Sequence, residues 1–259
     1  MNRITETLQA LSARKEKALA CFLTAGFPTI GATLPLVSEI EKGGADIIEL
    51  GMPFSDPLAE GPVIQNSSYV AIEQGVTLDK ILSYVKTVRQ SSEIPLVLMG
   101  YLNPILAYGA EKFFHAAASA GVDGLILPEL PLEESGRYKS MFENSGLTNI
   151  ILVTPTTPSE RITIIDRASE GFLYCVSTTG VTGSAGHSAS IKYISTVKKS
   201  AKKNPVLVGF GISSAEDARR AVQNADGVIV GSALIEFIGK GKSLEAIESF
   251  VRGIKTGMQ

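Results

Sequence analysis

Apolar positions in this chain come in short unbroken runs, and the runs recur along its whole length. They are LACFLTA from Leu19, DIIELG from Asp46, IPLVLMG from Ile94, DGLILP from Asp123, NIILVT from Asn149, GFLYCV from Gly171, PVLVGF from Pro205 and DGVIVGS from Asp226. They are nearly continuous in hydrophobicity rather than alternating, which suits parallel strands covered on both faces. Between them lie amphipathic segments with helix-start signals: Ser135 within LEESGRYKSMF, Ser159 before ERITIIDRA, and Ser213 or Ser214 before AEDARRAV. Near the start, Ile4, Leu8 and Leu11 fall at helical spacing and predict an extra N-terminal helix lying on the domain.

Eight βα units without a composition break predict an α/β protein, a single (β/α)8 TIM barrel domain over residues 1–259. An open doubly wound sheet with a small appendage would generate a similar string. No GxGxxG signature follows an early strand, however, and the glycines fall after the seventh and eighth runs instead.

Composition changes the picture chiefly by exclusion. With 44% hydrophobic and 19% charged residues the chain can bury a sizeable core. A formal net charge of -2 leaves no strong field for nucleic acid or anionic membranes, and the KKSAKK stretch near residue 200 reads as a solvated helix end. The opening residues lack the apolar stretch of a signal peptide, and no run approaches the ~20 residues needed to span a bilayer. A cytoplasmic protein is expected. Cys21 and Cys175 each sit inside an apolar run without metal-type spacing, which predicts reduced core thiols.

In a barrel, chemistry gathers at the carboxyl ends of the strands. Glu49, within DIIELG, is a carboxylate in an otherwise apolar strand, where desolvation should raise its pKa toward an acid-base value. The MPFSDPLAEGP loop that follows adds Asp56 and Glu60, and its prolines restrict the backbone. GFGISS from Gly209 and DGVIVGSALIE from Asp226 each end a strand in glycine and a small hydroxyl residue before a helix, a pattern that suits a phosphate. STTGVTGSAGHSAS, from Ser177 to Ser190, is long for a βα connection and predicts a lid. His187 within it reads as solvated, and His115 as a surface or packing residue. None of the eight runs contains a lysine, which argues against a Schiff base, and the two histidines lie far from any ligand cluster. Cofactor-free acid-base catalysis remains.

FLTAGFP from Phe22, ELGMPFSDPLAEGPVIQ from Glu49, LMGYLNP from Leu98, LPELPLEES from Leu127, STTGVTGS from Ser177, GFGISS and DGVIVGSA together closely resemble the tryptophan synthase α-subunit family. The resemblance implies reversible retro-aldol cleavage of indole-3-glycerol phosphate to indole and glyceraldehyde 3-phosphate. It also implies a β-subunit partner carrying pyridoxal phosphate in an αββα complex, with no cofactor or metal in this subunit. Carried over by residue, Glu49 matches the general acid-base group and Glu60 the group that assists the indole N–H. Gly183, Phe210, Gly211, Gly231 and Ser232 match phosphate-site positions, with Thr182 in the lid. Phe22, Ile64, Leu98, Tyr101 and Tyr174 match residues lining the indole and glycerol pocket.

The chain departs from the family in three places: Glu60 and Glu129 each stand where aspartate is usual, and no arginine occurs between Ser177 and Ile191. A weakly catalytic activator of the β subunit and a stand-alone indole-releasing lyase are the alternatives. Apolar Leu102, Pro104, Ile105, Leu106, Leu130 and Leu132 in the loops after the third and fourth strands favour a docking face over a stand-alone enzyme.

Overall fold

A computed structural model describes residues 2–176, 184–209 and 211–259, and the side chains of 184–190 lie outside that description. The apolar runs form parallel strands β1 (Ala18–Thr24), β2 (Ile47–Gly51), β3 (Leu96–Met99), β4 (Gly124–Ile126), β5 (Thr148–Ile150), β6 (Leu152–Val153), β7 (Leu173–Val176), β8 (Val206–Gly209) and β9 (Gly227–Val230). Their order around the sheet is β5-β4-β3-β2-β1-β9-β8-β7-β6. Its two ends, β5 and β6, are pieces of one strand interrupted at Ile151. The Ile151 carbonyl accepts from Tyr174 N–H at 3.1 Å, and its own N–H donates to Ser169 Oγ at 3.0 Å. The sheet therefore closes on itself as an eight-stranded barrel, and the fifth apolar run is the one that the structure splits in two.

Side chains alternate across the barrel wall. On β7 and β8, Leu173, Cys175, Val206 and Val208 pack outward with Ile162 and Ile165 of helix Ser159–Ala168 and with Ile194 and Val197 of helix Ser184–Ser200. Tyr174 and Leu207, in the opposite phase, join the cluster that contains Phe22. Both faces of the wall are apolar, and this is why the strands read as continuous runs. Cys21 and Cys175 are buried and free.

Helix Arg3–Ala13 lies across the amino-terminal end of the barrel, burying Ile4, Leu8 and Leu11. Each such side chain contributes about 1.5–3 kcal/mol by leaving water. Ahead of the helix, Asn2 Nδ2 donates to the Asp123 carbonyl at 2.8 Å, just before β4. The Asp123 carboxylate accepts from Arg3 at 3.0 Å, from Arg89 at 2.7 Å and from Leu96 N–H at 2.8 Å. This network ties that end together, away from the mouth.

Helix starts were legible in part. Ser214 caps helix Ala215–Val222 by accepting from Asp217 N–H. Ser135 instead closes the short helix Leu132–Ser135, bonding back to the Leu132 carbonyl at 2.7 Å, and Ser159 is the first helical residue after Pro158. The long loop expected through Ser190 is shorter on its far side, because helix Ser184–Ser200 begins at Ser184. No helix among the described residues is long and apolar enough to cross a membrane.

Candidate active site

Glu49 sits at the centre of β2, paired in register with Phe22 on β1 and Val97 on β3. Neighbouring partners in a parallel sheet point to the same side, so Glu49 shares the inward face with Phe22. It is fully buried, and neither carboxylate oxygen has a hydrogen-bond partner among the described residues. Burial pushes its pKa up to about 8, and the negative charge of Glu60 pushes in the same direction. A buried carboxyl this poorly solvated holds its proton at neutral pH.

At the carboxyl-terminal mouth a cavity of about 240 Å³ is lined by Phe22, Ile64, Met99, Tyr174 and Ile229, with Glu60 at its edge. Glu60 is partly buried in the 52–61 loop, and burial raises its pKa to about 7. Glu60 N–H donates to the Pro57 carbonyl at 3.0 Å, and the Glu60 carbonyl accepts from Gln65 Nε2 at 2.9 Å. Tyr174, 4% exposed, has its phenol pKa raised by burial and then by Glu49 and Glu60.

The opposite wall is built from backbone. Gly211, Ile212 and Ser213 follow β8, and Gly231, Ser232 and Ala233 follow β9. Helix Ser232–Gly239 has no side-chain cap at its amino end, so its first N–H groups face the cavity without an intrahelical acceptor. Gly211 adopts φ 77°, a left-handed conformation that glycine takes without strain. Such a wall attracts an anion. Among the described residues no group of three His, Cys, Asp or Glu is placed to hold a metal ion.

Of the residues singled out from sequence, Phe22, Glu60, Ile64, Tyr174, Gly211, Gly231 and Ser232 meet at this cavity, and Glu49 lies buried on the same inward face. Leu98 does not belong there. Its register partners are Leu50 and Leu125, one residue out of phase with Glu49, so it packs outward from the barrel. Met99 lines the cavity in its place, a residue the sequence reading missed. Tyr101 is buried but braces the 52–61 loop rather than lining the cavity, its hydroxyl accepting from Ala59 N–H at 2.8 Å. Thr182, Gly183 and Phe210 lie outside the described residues, as does the His187 side chain. His115 is exposed on helix Ala110–Ala120.

The expected apolar docking face is thinner than the sequence implied. Ile105 and Leu130 are buried in the core, Leu102 and Leu132 are partly buried, and Leu106 is exposed. Leu58, at the tip of the loop that carries Glu60, is 91% exposed.

The model of the family described as tryptophan synthase alpha chain matches residues 8–257. A tryptophan synthase alpha chain from Geotalea uraniireducens is 48% identical over 264 residues, covering 100% of this chain and 98% of that one. The crystal structure of tryptophan synthase subunit alpha from Legionella pneumophila superposes with a TM-score of 0.90 at 38% identity, covering 100% of this chain and 98% of the other. A chain in the aminoacrylate-bound tryptophan synthase of M. tuberculosis gives a TM-score of 0.90 at 31% identity, with 100% of each chain covered. Matched over residues 8–257 and nearly half identical to the Geotalea uraniireducens relative along its whole length, the chain belongs to the tryptophan synthase alpha chain family.

Proposed function

We propose that this lyase cleaves indole-3-glycerol phosphate reversibly to indole and glyceraldehyde 3-phosphate, with Glu49 carrying the protons. The observation behind the reading is the buried Glu49 carboxyl, without a partner at either oxygen among the described residues, on the inward face that it shares with the cavity-lining Phe22. Retro-aldol cleavage needs a proton delivered to indole C3 and another removed from the glycerol hydroxyl whose oxygen becomes the aldehyde. Protonated at neutral pH, Glu49 delivers the first; once ionised, it takes the second and returns to its starting state. The electrons of the breaking carbon-carbon bond pass into the ring and restore the indole. Glu60, only partly buried and lining the cavity, supplies the carboxylate that balances the positive charge growing at the indole N–H.

Phe22, Ile64, Met99 and Ile229 offer apolar walls to the flat indole, while Gly211, Gly231 and Ser232 face the phosphate. Thr182, Gly183 and Phe210 complete the phosphate site and lid in this reading, on the family resemblance. The partner is a β subunit that carries the pyridoxal phosphate and accepts indole within an αββα assembly. It docks near Asp56, Pro57, Asn103, Pro104 and residues 129–131, which follow β2, β3 and β4 on the same face as the cavity mouth. A cytoplasmic location belongs to the same reading, and two free, buried cysteines suit a reducing compartment.

Indole release from indole-3-glycerol phosphate, measured with and without a β subunit, tests the proposal. Glu49→Gln should lower the rate about 10²- to 10⁴-fold while leaving glycerol 3-phosphate binding intact. Retention of more than about a tenth of the wild-type rate would remove Glu49 from this role.

A further inference from the structure

Among the described residues the Glu60 carboxylate meets no hydrogen-bond or ion-pair partner, whereas the backbone on either side of it is held. That backbone is held from the end of β3. The Tyr101 hydroxyl accepts from Ala59 N–H at 2.8 Å, and the Tyr101 ring lies 5.2 Å from the Phe54 ring, tilted by 32°. The two contacts grip the 52–61 loop on either side of a tight turn, in which Leu58 N–H donates to the Asp56 carbonyl at 2.9 Å. Tyr101 is in turn fixed from behind, because the adjoining Leu102 N–H donates to the Glu129 carboxylate. Tyr101 is 6% exposed while Ala59 is exposed, so the bond ties the surface of the loop to a phenol fixed in the barrel.

We propose that Tyr101 is a positioning residue whose hydroxyl, by holding Ala59, keeps the Glu60 carboxyl at the edge of the substrate cavity. This rests on the role given to Glu60 above. Without the hydroxyl, the Ala59 peptide turns to water, the loop lifts and Glu60 becomes better solvated. The titratable groups around Glu60 are Glu49 on β2, Tyr101 after β3, Tyr174 on β7 and Glu236 on helix Ser232–Gly239, with Glu129 acting on Tyr101. Among the described residues that line the cavity none is basic. The pKa of Glu60, raised by burial, should fall when the loop lifts.

The experiment compares Tyr101→Phe, which keeps the ring and deletes the hydroxyl, with Phe54→Leu, which removes the ring contact and keeps the hydroxyl bond. Glu60→Gln serves as the reference, and the full chain is assayed by indole release from indole-3-glycerol phosphate across pH. Tyr101→Phe should lower kcat about threefold to tenfold with KM within about twofold, the scale of one lost hydrogen bond. The acidic limb of its kcat profile should move to lower pH, the Tm should stay near wild type, and Phe54→Leu should leave the limb in place. Wild-type kcat in Tyr101→Phe overturns the inference, and so does a loss of kcat with an unmoved limb, which would mark a structural role. Glu60→Gln separates the two claims. If it is silent, the role of Glu60 falls and this inference with it; if it loses activity while Tyr101→Phe does not, only this inference falls.

Discussion

Glu49 and Glu60 are electrostatically coupled: after burial, the charge on Glu60 is the second cause of the raised pKa of Glu49. Glu60→Gln removes that charge and should lower the Glu49 pKa from about 8, while burial keeps it above the ordinary value of 4.5. Carbon-13 NMR titration of labelled glutamate carboxyls reads the shift directly. An unmoved Glu49 titration would mean that the two groups do not sense each other.

The same burial makes stability depend on pH. Glu49 has a folded-state pKa of about 8 against an ordinary value of 4.5, so across that window the folded chain keeps a proton that the unfolded chain has released. Stability is therefore highest below about pH 4.5 as far as this group is concerned, and it falls as pH rises toward 8. Glu60, raised to about 7, acts in the same direction. Glu49→Gln carries no such proton, so its Tm relative to wild type should climb between about pH 5 and 8, by at most about 1.4 kcal/mol of stability per pH unit. Parallel Tm curves for the two proteins would contradict the raised pKa.

Leu98 and Met99 should separate packing from binding. Leu98→Ala leaves a hole in the outer core and should cost about 2–5 kcal/mol of stability with little change in KM. Met99→Ala trims the cavity wall and should raise KM for indole in the reverse reaction. The opposite assignment of effects would put the register of β3 one residue out.

Gly211 and Gly231 differ in what a side chain would do. Gly211, at φ 77°, should lose both fold stability and anion affinity as Gly211→Val, because a branched residue is strained there. A Cβ on Gly231 meets its nearest neighbour, Phe22 Cβ, at an ordinary 3.6 Å, so Gly231→Ala should hold its Tm. It should still weaken glycerol 3-phosphate binding several-fold by crowding the open helix end. Calorimetry showing full affinity in both variants would place the anion elsewhere.

The Leu98 and Met99 pair also shows where the sequence stops being informative. Strand existence, the barrel and the glycine turns were legible because parallel strands buried on both faces leave unbroken apolar runs bounded by turns. That same burial erases the alternation that would say which residues face inward, so LVLM in β3 offers no phase. Glu49 stood out all the same, because a carboxylate is rare in such a run and costly to bury there. The role of Tyr101 was not legible either: its bond to Ala59 joins residues 42 positions apart, and no local pattern records it. The helix at Ser184 was hidden by small polar residues, whose composition suits a loop as well as a first turn.

The break at Ile151 has a consequence for association. Because β5 and β6 are one strand, the barrel wall has no outermost strand with unpaired peptide groups among the described residues. A second polypeptide cannot join by extending the sheet, the route that exposed strands offer to aggregation and to β-augmented complexes alike. Any stable assembly must be built from loops and helix flanks, and those at the mouth also surround the cavity.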